Sequence, residues 1–470
     1  MSKAHMSAGR RTCLAAVSAA LLIPAAFGAW LLARETGSGA DKAEGANRLV
    51  EAKDRLMSMY DPDRGQWNGA EWWHQPVALE TLINMAGKVP AERRDVQALA
   101  AQVFEKNGRD RFINDYFDDS SWWALCWLSA YELTGEKRYL EAARTIFKHL
   151  TGKGWDTGTC GGGMVWHTSN RYKNAITNEQ FIRIALWLYR LSLRDGNPQR
   201  EYLDWGEKAW AWFSGSGMQN EQGLINDGLD NCRNNGQNPW TYNQGVIVGA
   251  LADLYLIKGD KTYLDKAYRI AEANISYNSA GNGVLMEKGC GDGNCGNDGA
   301  IFKGIFIRNL EHLLKVSPSD RPEKKSLEEF LSRNAEAAWA NRLDDGLFGV
   351  RWDRKLAAGK PTAAQCAGLD VLVAASDGGG QASPKVCLYD KADYGGAVSC
   401  HQVPSEIWML PDAFQDKVSS IRVSPGACLT VYADYGYKGE SRDITSSTSW
   451  IGPQWNDRIT SFKAYPCPAK

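Results

Sequence analysis

Tyr131-Glu-Leu-Thr-Gly-Glu-Lys-Arg-Tyr139-Leu-Glu-Ala-Ala143 and Tyr255-Leu-Ile-Lys-Gly-Asp-Lys-Thr-Tyr263-Leu-Asp-Lys-Ala267 are two copies of one pattern. Each reads as the end of a helix, a glycine turn and a second helix opening near Tyr-Leu. Gly135 and Gly259 stand where a helix stop needs positive φ. After the first copy, Leu140, Ala143, Ile146, Phe147 and Leu150 fall on one helical stripe. A looser copy runs from Tyr189 through Tyr202-Leu-Asp-Trp205 to Ala209. The three starts lie 58 and 66 residues apart. A period of about 55–60 residues is a long helical hairpin with a sizeable loop. Residues 45–376 then hold about six such hairpins, and six hairpins closing in a ring give an all-α (α/α)6 barrel. An open helical solenoid is the alternative.

The pattern changes after Ser376-Asp-Gly-Gly-Gly-Gln-Ala-Ser-Pro-Lys385, a linker by composition (377–385). Residues 386–467 are short alternating stretches such as Cys428-Leu-Thr-Val-Tyr432, separated by Gly, Asp and Pro, which is a β reading. Here too there is a repeat. Tyr389-x4-Tyr394-x-Gly396 recurs as Tyr432-x4-Tyr437-x-Gly439, and Gln415-Asp-Lys-Val-Ser-Ser420 as Asn456-Asp-Arg-Ile-Thr-Ser461. Two Greek keys packed as a small all-β sandwich fit this.

With 470 residues the chain exceeds one ordinary core, which agrees with two domains. A formal net charge of −1 gives no electrostatic reason to expect nucleic acid or an anionic membrane as partner. The 19 Trp and 18 Tyr stand out; they serve as core fillers or as platforms for the C–H faces of sugars. Residues 1–34 read as an export signal: Arg10 and Arg11, an uncharged run from Leu14 to Ala33, and small residues at Ala25, Ala26, Gly28 and Ala29. An uncleaved anchor helix is the alternative. A secreted or cell-surface monomer is expected, with no membrane contact beyond that anchor. Setting Cys13 aside leaves ten cysteines, an even count that suggests disulfides in an exported chain, with Cys290 and Cys295 as one pair. No C-x-x-C or H-E-x-x-H occurs, so zinc is not expected, and Gly291-x-Gly293-x-x-Gly296 lacks the preceding strand of a dinucleotide site.

Three stretches carry candidate chemistry. In Tyr116-Phe-Asp118-Asp119-Ser-Ser-Trp122-Trp123 two carboxylates precede an apolar helix. The plain reading is helix capping. The chemical reading is a glycosidase pair, because like charges held close raise one pKa and leave that group as the acid. The second stretch runs from Trp155 through Cys160-Gly-Gly-Gly163-Met-Val-Trp166 to Tyr172-Lys173-Asn174-Ala-Ile-Thr-Asn178-Glu179, a long loop with rings and hydroxyl partners. The third holds Asn226-Asp227-Gly228 and Trp240-Thr-Tyr242-Asn243. Each could equally be a polar loop with a capped helix behind it.

These blocks, in this order and together with Tyr202-Leu-Asp-Trp205 and Phe302-Lys-Gly-Ile-Phe306, resemble glycoside hydrolase family 76 over residues 45–376. The resemblance implies an (α/α)6 barrel and retaining endo-α-1,6-mannanase activity on mannan, with no cofactor. It implies Asp118 as nucleophile and Asp119 as acid/base. It leaves cell-wall transglycosylation open, and a non-catalytic glycan-binding wall protein is the rival of another class. Trp122, Trp123, Trp166, Tyr172, Lys173, Asn178, Glu179, Asp227, Trp240 and Tyr242 are the expected substrate-binding residues.

The C-terminal repeat resembles βγ-crystallin domains, whose calcium signature Asn456-Asp457-Arg-Ile-Thr460-Ser461 matches in full. In the other copy Gln415 departs from it, leaving Asp416 and Ser419 as ligands there. Ca2+ held by Asp416, Ser419, Asn456, Asp457 and Thr460 is the expectation. A carbohydrate anchor or a protease-inhibitor-like module is the alternative for this domain.

Overall fold

A computed structural model describes residues 39–290, 298–376, 385–411, 413–423 and 427–467. The export signal, Cys295, the Gly291–Gly296 pattern and nearly all of the linker lie outside the described residues. None of the described helices is long and apolar enough to cross a membrane.

Twelve α-helices make up the first domain among the described residues: α1 (Gly39–Met57), α2 (His74–Lys88), α3 (Arg93–Asn107), α4 (Phe117–Thr134), α5 (Lys137–His149), α6 (Ala175–Arg194), α7 (Arg200–Gly215), α8 (Thr241–Lys258), α9 (Lys261–Tyr277), α10 (Gly299–Val316), α11 (Pro322–Ala340) and α12 (Pro361–Ala375). They divide by burial. Helix α4 is buried almost without a break from Phe117 to Tyr131, and α8 from Asn243 to Leu254. A helix apolar on every side belongs inside. Helix α5 buries only one stripe, Tyr139, Leu140, Ala143, Ile146 and Phe147. The even-numbered helices α2, α4, α6, α8, α10 and α12 contact one another in sequence, and α12 returns to α2. That closed cycle gives a barrel-like domain, with the one-sided helices packed outside. Gly135 (φ 75°) and Gly259 (φ 69°) end α4 and α8 in the left-handed conformation, as the repeat implies.

The loops that lead into the inner helices are fastened by buried amides. Gln75 in α2 accepts from Trp67 N (2.7 Å) and donates to Trp67 O (3.2 Å). Asn178 in α6 does the same to Met164 (2.7 and 3.1 Å), and Gln244 in α8 to Ile225 (2.8 and 2.7 Å). Gln365 in α12 accepts from Phe348 N (3.0 Å). The bracketed residues Trp67, Met164, Ile225 and Phe348 are themselves buried. A buried peptide group left unpaired costs about 1–3 kcal/mol, so each amide removes two such penalties or one.

The second domain is all β. Strands β6 (Lys385–Tyr389), β7 (Val398–Gln402) and β9 (Ser420–Val423) form one sheet in the order β7-β6-β9. The other sheet has the order β11-β10-β12-β8, from β8 (Ser405–Ile407), β10 (Ala427–Asp434), β11 (Lys438–Ile444) and β12 (Ser461–Pro466). The remaining short strands, β1 (Tyr60–Asp61), β2 (Gln66–Trp67), β3 (Lys173–Asn174), β4 (Gly228–Asp230) and β5 (Arg233–Asn234), are two- or three-residue pairings in the loops of the helical domain. The third strand of the first repeat, β8, pairs with β12 of the second. Thr448 of the second repeat returns the exchange by bridging Ile421 of the first. Val386, Leu388, Ile421, Leu429, Val431 and Phe462 fill the space between.

Disulfides join Cys160 to Cys232, Cys387 to Cys400 and Cys428 to Cys467, and Cys290 is also disulfide-bonded. Cys126 and Cys366 correct the expectation drawn from an even count: both are free thiols, buried on inner helices that keep them from solvent and from oxidation.

Candidate active site

Asp118 and Asp119 lie in the first turn of α4, and neither caps it. The cap position is Tyr116, with extended backbone and no side-chain cap. Asp118 Oδ2 accepts the indole N–H of Trp166 at 3.0 Å, while Oδ1 is buried with no hydrogen-bond partner among the described residues. Asp119 Oδ2 accepts the Asn114 amide at 2.8 Å. Burial, with the Asp119 charge beside it, pushes Asp118 up to about 8. Burial, against the Asn114 donation and with Asp298 and Glu71 nearby, pushes Asp119 up to about 6. Near neutral pH the two carboxyl groups therefore share one proton.

Aromatic rings extend from this pair. Trp122 stacks on Trp73 (5.7 Å between ring centres), Trp73 on Phe302 (6.2 Å) and Phe302 on Tyr242 (3.9 Å), while Trp240 meets Phe302 edge-on (5.6 Å). Trp73 Nε1 donates to Asp298 Oδ1 at 3.1 Å. His74 Nδ1 accepts from Glu71 N, so Nε2 carries the ring proton and faces Asp298 Oδ1 at 3.4 Å. On the other side of Trp166 stands Tyr172, whose hydroxyl donates to Asp227 Oδ2 at 2.6 Å and accepts from the Asn235 amide at 3.0 Å. Glu179 is buried with neither carboxyl oxygen hydrogen-bonded among the described residues, and burial, with Asp227 next, holds it well above the carboxylate range.

Three of the expected sugar contacts are buried and engaged within the protein. The Lys173 ammonium is buried and held by Asp156 Oδ2 (2.9 Å) and Gly163 O (2.8 Å), so it braces the long loop. Asn178 spends its side chain on Met164 and on Asn174 O (2.8 Å). Trp123 is fully buried, stacked on Trp127 and packed against Phe112 and Trp72. Conversely, Asn114, Glu71, Trp73 and Asp298 were not legible as site residues. They come from separate loops, and only the fold brings them to one place. Phe302 opens Phe302-Lys-Gly-Ile-Phe306, yet nothing in its spacing marks it as the link between two other rings.

Residues 46–377 match the model of glycosyl hydrolase family 76. The chain belongs to this family. Among its relatives, the mannan endo-1,6-α-mannosidase DFG5 of Candida albicans is 26% identical over 337 residues, 64% of this chain and 72% of the relative. The enzyme of the same description, DCW1 of that yeast, is 29% identical, over 53% of this chain and 60% of the relative. The family 76 α-1,6-mannanase of Salegentibacter superposes with a TM-score of 0.62 at 25% identity, covering 71% of this chain and 99% of that one. An inactive variant of it, altered at two consecutive aspartates and bound to an α-1,6-mannotetraose, gives 0.61 at 25% identity, over 71% and 98%. Residues 382–444 match the model of peptidase inhibitor family I36, so a distinct C-terminal domain follows the family 76 domain.

Proposed function

We propose that the chain is an exported, retaining endo-α-1,6-mannanase whose helical domain is an (α/α)6 barrel. The observation that carries this reading is the consecutive pair Asp118 and Asp119, sharing a proton beside an aromatic run at the opening of an inner helix. The closed cycle of inner helices supports the barrel. The Salegentibacter enzyme, inactivated at two consecutive aspartates and bound to its oligosaccharide, supports the roles.

Asp118 attacks the anomeric carbon, and the C1–O bond breaks as Asp119 gives its proton to the departing oxygen. In the free protein the shared proton favours Asp118. A sugar turning cationic at C1 above Asp118 favours the anion there, and the proton then resides on Asp119. In the second step Asp119 takes a proton from water, whose oxygen displaces Asp118 from C1 and regenerates both groups. The half-buried rings of Trp73 and Tyr242, backed by buried Phe302, offer stacking surface for neighbouring mannose rings.

The C-terminal domain reads as two Greek keys that exchange their third strands, and we assign it a calcium role. Asp416 and Asp457 occupy equivalent left-handed turn positions (φ 51° and 56°). Thr460 Oγ1, from the second repeat, donates to Asp416 Oδ1 of the first at 3.0 Å, so oxygen donors of both halves meet. Ser419 Oγ lies against Asp390 O at 3.2 Å in the equivalent place. Carboxylate, hydroxyl and carbonyl oxygens suit a hard cation.

Incubation with linear α-1,6-mannan, followed by product sizing and anomer analysis, tests the enzyme. Shorter chains with new reducing ends of retained configuration are expected. Longer chains alone would make it a transglycosylase, and unchanged mannan would end the catalytic reading.

A further inference from the structure

A cleft of about 420 Å3 opens next to the catalytic pair, with Asn114 as a shared wall. Asn114 is the residue whose amide donates to Asp119. The half-buried ring of Trp72 forms part of the lining, with Gln66 and Asn107. Those two amides are already spent. Gln66 donates to Asn107 Oδ1 at 2.8 Å and accepts from Arg64 at 3.2 Å, and Asn107 donates to Gly65 O and Val103 O. Two further donors are cationic. Lys106 and Arg109 both line the cleft, are exposed, and make no ion pair or side-chain hydrogen bond with any described residue. Against them stands one carboxylate, Asp110, followed by the exposed and equally unpaired Arg111. Asp110, Arg111 and Phe112 all hold left-handed backbone (φ 56°, 57° and 62°). For non-glycine residues this conformation costs about 1–2 kcal/mol each. Buried Phe112, packed against Trp123 and Trp127, holds the turn in place. Strain maintained in this way beside a reaction centre points to a use for the side chains it presents.

We propose that this cleft is a subsite for an anionic group, a phosphate or a carboxylate, carried on the leaving-group side of the mannan chain. Asn114 joins it to Asp119, the proton donor, which faces the departing sugar. An anion would meet two cations there that have no side-chain partner among the described residues. The inference rests on the mannanase reading.

The test compares kcat/KM on α-1,6-mannotetraose bearing a phosphate on its reducing-end mannose with kcat/KM on its phosphatase-treated twin. A preference of about fivefold for the phosphorylated chain is expected at low salt, falling towards one in about 0.5 M salt. The double substitution Arg109→Gln with Lys106→Gln brings the ratio to about one. A twin oxidised to the mannonate shows whether a carboxylate draws the same preference. Equal rates on both chains in the unaltered protein overturn the proposal, as does a preference that survives the double substitution. No cleavage of the neutral twin would instead strike the mannanase reading itself.

Discussion

The indole N–H of Trp166 donates to Asp118 Oδ2 across 3.0 Å, tying the loop before α6 to the first turn of α4. This bond stabilises the Asp118 anion and so opposes the burial that lifts its pKa. In Trp166→Phe the anion loses that donor, and ionising Asp118 requires a higher pH. The acidic limb of the kcat/KM profile on α-1,6-mannan should move upward, with a loss of about tenfold to a hundredfold at neutral pH. An unmoved limb would show that the bond does not tune the nucleophile.

Asp118→Ala and Asp119→Ala should each lower mannan cleavage by at least about a thousandfold while circular dichroism stays unchanged. Appreciable turnover in either variant would remove that residue from the chemistry.

The same carboxyl group bears on stability. The ordinary value for Asp118 is 3.8 and its folded value is about 8, so the folded state holds the proton more tightly than the unfolded chain. Its favourable contribution is complete below about pH 4 and is lost as pH rises towards 8. Asp118→Asn removes that loss. Its melting temperature should exceed that of the unaltered protein by about 2–4 °C at pH 8, with a smaller gap at pH 5. A gap independent of pH would mean that Asp118 is not held protonated by the fold.

Asn178 separates bracing from sugar contact. Asn178→Ala orphans the N–H and C=O of Met164 and should destabilise the protein by about 2–4 kcal/mol, read by denaturant unfolding. KM should change little in whatever fraction remains folded. Unaltered stability with a raised KM would restore Asn178 to the ligand side.

Calcium added to the full chain should raise the melting transition of the C-terminal domain, and Asp416→Ala should abolish that rise. A transition indifferent to calcium in the unaltered protein would remove the metal.

Local signals announced the outline of this molecule. Gly135 and Gly259 marked helix ends because only a residue without Cβ takes positive φ there at no cost. The paired β motifs marked two related halves in the same direct way. Other features depend on distance in three dimensions. Gln75, Asn178 and Gln244 perform one task, yet they reach back 8, 14 and 19 residues, so no fixed spacing announces it. At a loop–helix junction, a polar residue that serves the backbone looks the same in sequence as one that serves a ligand. Lys173 and Asn178, expected as sugar contacts, hydrogen-bond the backbone of the long loop instead of standing free. Trp122 and Trp123 are neighbours with different fates, because successive helical positions point about 100° apart. Both are buried, but one stacks on Trp73 in the aromatic run and the other on Trp127.

The bracketing amides have a consequence for the family's diversification. Each amide fixes one inner residue of the rim segment before its helix, so the segment can vary elsewhere while that anchor keeps its place on the scaffold. The anchoring residues Trp67, Met164, Ile225 and Phe348 are the splice points. A lineage could vary the loop tips outside these anchors and acquire new glycan preferences while Asp118 and Asp119 stay in place on α4.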